Sequence, residues 1–297
     1  MVVSTPHFEP GHHKWSLTID GLNRMVRVFV PKTDVPELYP AVIMLPGAGA
    51  TSAWTQKETD WPLLAERQGF VFVCPDSTTP TPHQPTRFVQ NPHVWNDGSG
   101  WPPASHVRVD DVRFLRTMIE QLPKVTPTDP RRIYMTGFSN GAAMTFRFAV
   151  ELPHLLAAIA PVAGHPTVLS PAPVWAVPTL YMIGTLDPLV PLAGGKVDTP
   201  WGKKIYKPPV TESLRRWRVL LGCPAEPAWV QEVEGVMMEH FGPGRNGSCL
   251  ETWMIAGLGH HWPGGKGGLK TSIAGPPSDR VVATESIWQF FKQFSLP

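Results

Sequence analysis

Long hydrophobic runs are missing from this chain: its most apolar stretch, residues 155–164, covers ten residues, well short of the ~20 that a membrane-spanning helix needs. No membrane partner is expected. An excess of one charge is missing too. The 26 Lys and Arg stand against 24 Asp and Glu, a formal net charge of +2 with no basic run or stripe, so nothing points to a nucleic-acid partner. Neither HExxH nor CxxC spacing occurs, and no metal or other cofactor is expected. The N-terminus, MVVSTPHFEPGHHKW, has neither a basic n-region nor an apolar h-region, and so does not read as a signal peptide. Oligomeric state leaves no mark in the sequence.

Cysteine is scarce, with three in all. Cys74 sits in the apolar run FVFVCP and reads as a buried strand residue. Cys223 and Cys249 lie in polar, loop-like surroundings. A bridge between them would close a loop of 27 residues and contribute roughly 3–4 kcal/mol by chain entropy; two free thiols fit the same spacing equally well.

Apolar residues, by contrast, are plentiful. At 42% hydrophobic and 17% charged, 297 residues can build a sizeable core. Residues 15–19 and 25–30, separated by Asp-Gly-Leu-Asn, read as an opening β-hairpin. Apolar runs then alternate with helical patterns. Strands are expected at 41–45, 70–74, 132–137, LAAIAPV, TLYMIG and 250–257. Helices are expected after Asp60, which can cap DWPLLAERQG, after Asp110, over 140–150 and 210–221, and at the C-terminus. Continuously apolar strands alternating with helices predict a mostly parallel sheet covered on both faces, behind an antiparallel N-terminal hairpin. With no internal repeat and no linker, residues 1–297 read as one α/β domain. Two long stretches rich in Pro, Gly and Trp, 77–107 and 188–209, fall where a cleft would need walls.

Gly137-Phe138-Ser139-Asn140-Gly141 carries the strongest chemical signal. G-x-S-x-G alone is weak, but here the strand RIYMT runs into it and the helix GAAMTFRFAV leaves it. That is the strand–turn–helix of a nucleophile elbow, with small residues where the turn is tightest. A serine hydroxyl needs a base, oriented in turn by a carboxylate. In the order Ser, acid, His, Asp187 follows the strand TLYMIG, and His260 and His261 follow the strand LETWMIAG. Asp198 lies deep in a loop, and His165 precedes any suitable acid. An oxyanion hole would use the N–H of Asn140 and one from the loop Leu45–Ala50, with Ala48 as the expected second donor.

These stretches, together with LPGAGATSAW, VWNDG, VDDVRFL, RRWRVLLGCPA and GLGHHWPGG, resemble the poly(3-hydroxybutyrate) depolymerase-type esterases. That family is related to the feruloyl and acetylxylan esterases of carbohydrate esterase family one. The likeness runs from about residue 25 to 292 in the family order. Its most specific motif, G-x-G-H-x-W-P-G, fits residues 257–264 and selects His260 over His261. The resemblance implies an α/β-hydrolase fold and hydrolysis of carboxylic esters through an acyl-enzyme, the family spanning hydroxyalkanoate oligomers, hydroxycinnamoyl esters and acetylated sugars. With no separate substrate-binding module or Ser/Thr-rich linker in the sequence, soluble or oligomeric esters are expected. The resemblance also implies a disulfide between Cys223 and Cys249. The family usually has His-Gly where this chain has Pro46-Gly47. Trp95, Asn96, His261 and Trp262 are expected to touch substrate, with Trp101 and Trp201 as further walls. An acyltransferase using the same triad, or a binding protein on the same fold, are the alternative readings. The 35 prolines and 12 tryptophans and the implied disulfide lean towards a secreted or periplasmic location, with the cytoplasm as the alternative.

Overall fold

Strand β3 (Tyr39–Leu45) shows how the core is built. Ala41, Ile43 and Leu45 enter one apolar cluster, and Val42 and Met44 enter another. Successive side chains of a strand point to opposite faces, so a strand apolar at every position needs cover on both sides. A computed structural model of the chain describes residues 7–32, 38–170 and 173–297. Residues 1–6, which open the stretch examined for a signal peptide, lie outside them.

The hairpin of β1 (Gly11–Ile19) and β2 (Leu22–Val30) forms one edge of a ten-stranded sheet. Its β2 pairs antiparallel with β4 (Val71–Pro75). From there β4, β3, β5 (Thr128–Phe138), β6 (Ala158–Val162), β7 (Thr179–Gly184) and β12 (Leu250–Ile255) run parallel, side by side. At the far edge β11 (Val236–Phe241) and β10 (Trp229–Val233) return antiparallel. Helices α3 (Asp111–Val125), α4 (Asn140–Glu151) and α5 (Val210–Leu221) bury Leu115, Met118, Phe146, Leu214 and Trp217 against one face. Helices α2 (Trp61–Gln68) and α7 (Ala283–Phe291) bury Trp61, Leu64, Ile287 and Phe291 against the other. This is the mostly parallel, doubly covered sheet expected from the alternation of strands and helices, and it agrees with the α/β-hydrolase fold that the resemblance implies. None of the helices among the described residues is long and apolar enough to cross a membrane.

Three local expectations are corrected. Asp60 makes no side-chain cap on α2; it adopts a left-handed conformation between α1 (Ser52–Thr59) and α2, and its carboxylate pairs with Lys266. Helix α1 was not anticipated, because SAWTQKET has no apolar stripe; Thr51 caps it by accepting from the Trp54 N–H. The stretch 188–209 contains a two-stranded hairpin, β8 (Gly195–Asp198) with β9 (Lys204–Lys207). Cys74, Cys223 and Cys249 are all buried, and no bond joins Cys223 to Cys249 in this structure. Cys223 packs in the cluster under α5 and Cys249 in the other cluster, and the two lie near enough for Cys223 to add to the upward shift of Cys249. Burial raises both thiols, Cys249 to about 12. The Cys223 sulfur meets the Leu250 N–H and the Ser248 hydroxyl, whereas Cys249 meets the Thr179 N–H.

Candidate active site

Strand β5 ends at Phe138 and α4 begins at Asn140, so the chain must reverse direction on Ser139 alone. It does so at φ 55° and ψ −115°, a backbone region that non-glycine residues occupy only where the surroundings impose it. The surroundings here are tight. A Cβ on Gly137 would run into the Gly141 carbonyl, and one on Gly141 into the Leu45 carbonyl. The Ser139 N–H is held by the Val162 carbonyl at 2.9 Å. Its hydroxyl is thereby presented at the C-terminal ends of the parallel strands, above the first turn of α4.

The loops after β7 and β12 supply its partners. The Ser139 hydroxyl donates to His260 Nε2 at 2.9 Å, and His260 Nδ1–H donates to Asp187 Oδ2 at 2.7 Å. The other oxygen of Asp187 accepts from the Leu189 and Val190 N–H groups at 2.8 and 2.7 Å. Burial acts to raise the Asp187 carboxyl. The His260 imidazole, its hydrogen bond and the two backbone donors outweigh that, and its pKa lies below the ordinary value. The ionised carboxylate therefore fixes the imidazole tautomer that leaves Nε2 free to accept a proton.

Above the serine lies a cavity of about 400 Å³, mostly apolar, closed by the two long Pro- and Trp-rich segments. Phe88 from one segment meets Trp201 from the other, ring centres 5.8 Å apart, and the Trp201 indole donates to the Phe88 carbonyl. Ala48 and Asn140, the expected oxyanion donors, both line this cavity. The neighbours of Ala48 are already committed: Gly49 N–H to His93 O and Ala50 N–H to Gly47 O. Asn140 opens α4, where the first N–H groups have no acceptor within the helix. Pro46, standing where the resembled family has His, is anchored through its carbonyl by the Trp95 indole at 2.9 Å.

That anchor also corrects the expected role of Trp95. Its ring is fully buried beside Arg24 and Phe114 and does not line the cavity. Asn96 donates to Val109 O and receives the Arg147 guanidinium on its carbonyl, away from the cavity. His261 is buried, its Nε2 hydrogen-bonded to the Gly275 carbonyl. Trp262 is buried against Trp61, its indole donating to Thr284. These four residues support the walls from behind; Trp101 and Trp201 are the tryptophans of that expected set that form them.

The sequence reading overlooked Asp97, next to Asn96 in VWNDG. It is buried, lines the cavity and accepts from the Asn140 side chain at 2.6 Å, which also clamps the Trp95 backbone. Burial raises its pKa, against hydrogen bonds from Ser99 and Asn140. Lys207 and His165 also line the cavity; in the sequence His165 reads only as a rival base, and nothing marks Lys207. Among the described residues no group of three or more His, Cys, Asp or Glu side chains gathers to hold a metal ion.

Fold and site together define an α/β-hydrolase. Residues 29–212 match the model of the phospholipase/carboxylesterase family, and the chain belongs to that family: it is a carboxylic ester hydrolase. It is 30% identical over 272 residues to "Putative esterase NocK" of Nocardia uniformis subsp. tsuyamanensis, covering 84% of this chain and 73% of that protein. It is 30% identical over 198 residues to feruloyl esterase B of Piromyces equi, covering 63% of this chain. This chain spans about a third of that longer protein, 32% of its length. Among solved structures, an acetyl xylan esterase from Aspergillus awamori shares the fold with a TM-score of 0.59 at 15% identity, over 84% of this chain and 94% of that one.

Proposed function

We propose that Ser139, His260 and Asp187 are the nucleophile, base and orienting acid of a serine esterase that acts on soluble or oligomeric carboxylic esters. The unbroken hydrogen-bonded chain from Ser139 Oγ through His260 to Asp187, at the floor of an apolar cavity, carries this reading. His260 takes the Ser139 proton as the oxygen attacks the ester carbonyl, then returns it to the leaving alcohol. Water repeats the sequence on the acyl-enzyme and frees the acid. Asp187 holds the imidazole and stabilises the imidazolium without taking the proton. The N–H groups of Asn140 and Ala48 receive the oxyanion, with the end of α4 behind them.

A cavity of about 400 Å³ roofed by Phe88 and Trp201 suits acyl groups larger than acetyl. That fits hydroxycinnamoyl or hydroxyalkanoyl esters, and the feruloyl esterase relative points the same way. Ser139→Ala is expected to lower kcat by about 10⁴-fold or more on a p-nitrophenyl ester. A fluorophosphonate should label the wild-type protein at Ser139 and leave the variant unlabelled. Labelling at another serine, or a variant within tenfold of wild type, would overturn the assignment.

A further inference from the structure

His165 and Lys207 share the cavity with the proposed triad and have no part in its chemistry. His165 is 2% exposed. Its Nδ1 lies 3.0 Å from the Ser213 hydroxyl, which in turn donates to the Pro209 carbonyl at 3.3 Å. Having given its proton to Pro209, Ser213 Oγ accepts from His165, so the imidazole carries its proton on Nδ1. Nε2 is left with a lone pair, buried and without a hydrogen-bond partner. Such an atom is costly unless something donates to it. Burial and the neighbouring Lys207 hold this histidine down to about 3, so it stays a neutral acceptor.

Lys207 is the complement. It extends from β9 with its ammonium over the Trp101 ring, 5.1 Å from the centre, and Trp101 packs edge-on against His165 at 5.8 Å. Lys204 and Lys266 have ion-pair partners; Lys207 has none among the described residues. A pure donor and a pure acceptor thus flank one aromatic ring in the wall of one cavity. A hydroxyl satisfies both, accepting from the ammonium and donating to the imidazole. A carboxylate would satisfy Lys207 but would turn lone pairs towards His165 Nε2 and add charge beside Asp97, which lines the same cavity.

We propose that Lys207 and His165 form a subsite that binds a hydroxyl group of the ester substrate and so selects hydroxylated esters over their deoxy counterparts. The proposal rests on Ser139 being the nucleophile of the same cavity. The test compares kcat/KM for matched esters. Methyl 3-hydroxybutyrate against methyl butyrate, and methyl 4-hydroxycinnamate against methyl cinnamate, place the hydroxyl on the acyl side. The pair 2-hydroxyethyl butyrate and propyl butyrate places it on the alcohol. At least one hydroxylated ester should be favoured by about tenfold or more, because its deoxy partner leaves buried polar atoms unpaired.

Lys207→Met and His165→Phe should each bring that ratio to within about threefold of one. Lys207→Arg and His165→Gln, which keep a donor and an acceptor, should restore part of it. Lys207 stands on a half-exposed hairpin, so its variant reports on the ratio even if His165→Phe fails to fold. Ratios within threefold in every wild-type pair, a preference that survives both substitutions, or a stronger preference for monomethyl succinate would overturn the subsite while leaving ester hydrolysis intact. Folded protein that hydrolyses none of these esters would overturn the Ser139 reading and the subsite with it.

Discussion

A lysine ammonium held in an apolar wall costs stability that its deprotonated form does not. Burial brings Lys207 down from 10.5 to about 8, against the pull of Asp187 and Asp97. The folded chain then releases the proton about two and a half pH units before the unfolded chain does. Between those values the unfolded state binds more protons, so stability rises with pH. The penalty is present in full below about 8 and is gone above 10.5. Wild type should therefore gain on Lys207→Met, by roughly 2 kcal/mol between pH 7.5 and 10. Urea unfolding of both proteins at the two pH values measures this, and a constant gap would remove the claim that Lys207 is desolvated. At this scale the sequence was most legible where chemistry demands a local pattern. The tight turn around Ser139 and the order Ser139, Asp187, His260 are written in glycines and strand ends. Trp95 and Trp262 were misplaced because a buried indole and an exposed one look alike in sequence; only the hydrogen bonds to Pro46 and Thr284 separate them.

Among the elements, the cavity depends on a joint well away from the serine. Arg24 on β2 donates to Asp111 at the start of α3, 2.7 Å away, both side chains buried. The second oxygen of Asp111 accepts the Asn96 N–H at 2.7 Å. Burial raises the Asp111 carboxyl, opposed first by Arg24. The next residues of that loop, Trp95 and Asp97, are clasped by the side chain of Asn140. One ion pair therefore fixes strand, helix and cavity wall at once. Asp111→Ala should cost about 3–5 kcal/mol, because it strands the Arg24 charge in the core. The double variant Arg24→Met/Asp111→Leu should recover much of that loss in denaturant titrations. A single variant as stable as wild type would mean that Arg24 finds water or another partner. Elements were readable where burial was continuous, as in β3, β4 and β7, all buried throughout. The far-edge hairpin was missed for the converse reason: β10 is exposed at all five positions, so WVQEV carries no burial signal.

For the whole molecule, the question is whether residues 1–297 unfold as one unit, and the second apolar cluster bears on it directly. It joins Trp61, Phe70 and Phe72, early in the chain, to Trp288, Phe290 and Phe291 of α7 near its end. Phe70 and Trp288 lie 4.4 Å apart between ring centres, and the Tyr134 ring stacks on Phe291 at 4.8 Å. Tyr134 also donates to the Phe294 carbonyl, and the Leu296 N–H donates to the Arg131 carbonyl. The C-terminal segment thus closes a face of the sheet that the first half of the chain begins, and neither half has a complete core without the other. Removal of that helix would expose Trp61, Phe70 and Tyr134 together. Phe291→Ala alone should cost about 3–5 kcal/mol, the range for deleting a buried aromatic ring. Far-ultraviolet circular dichroism, tryptophan fluorescence and esterase activity should be lost in one coincident transition, in wild type and at lower denaturant in the variant. A variant in which fluorescence and far-ultraviolet signals separate, with activity following only one of them, would show that the α7 face folds independently and that the chain is not a single cooperative domain.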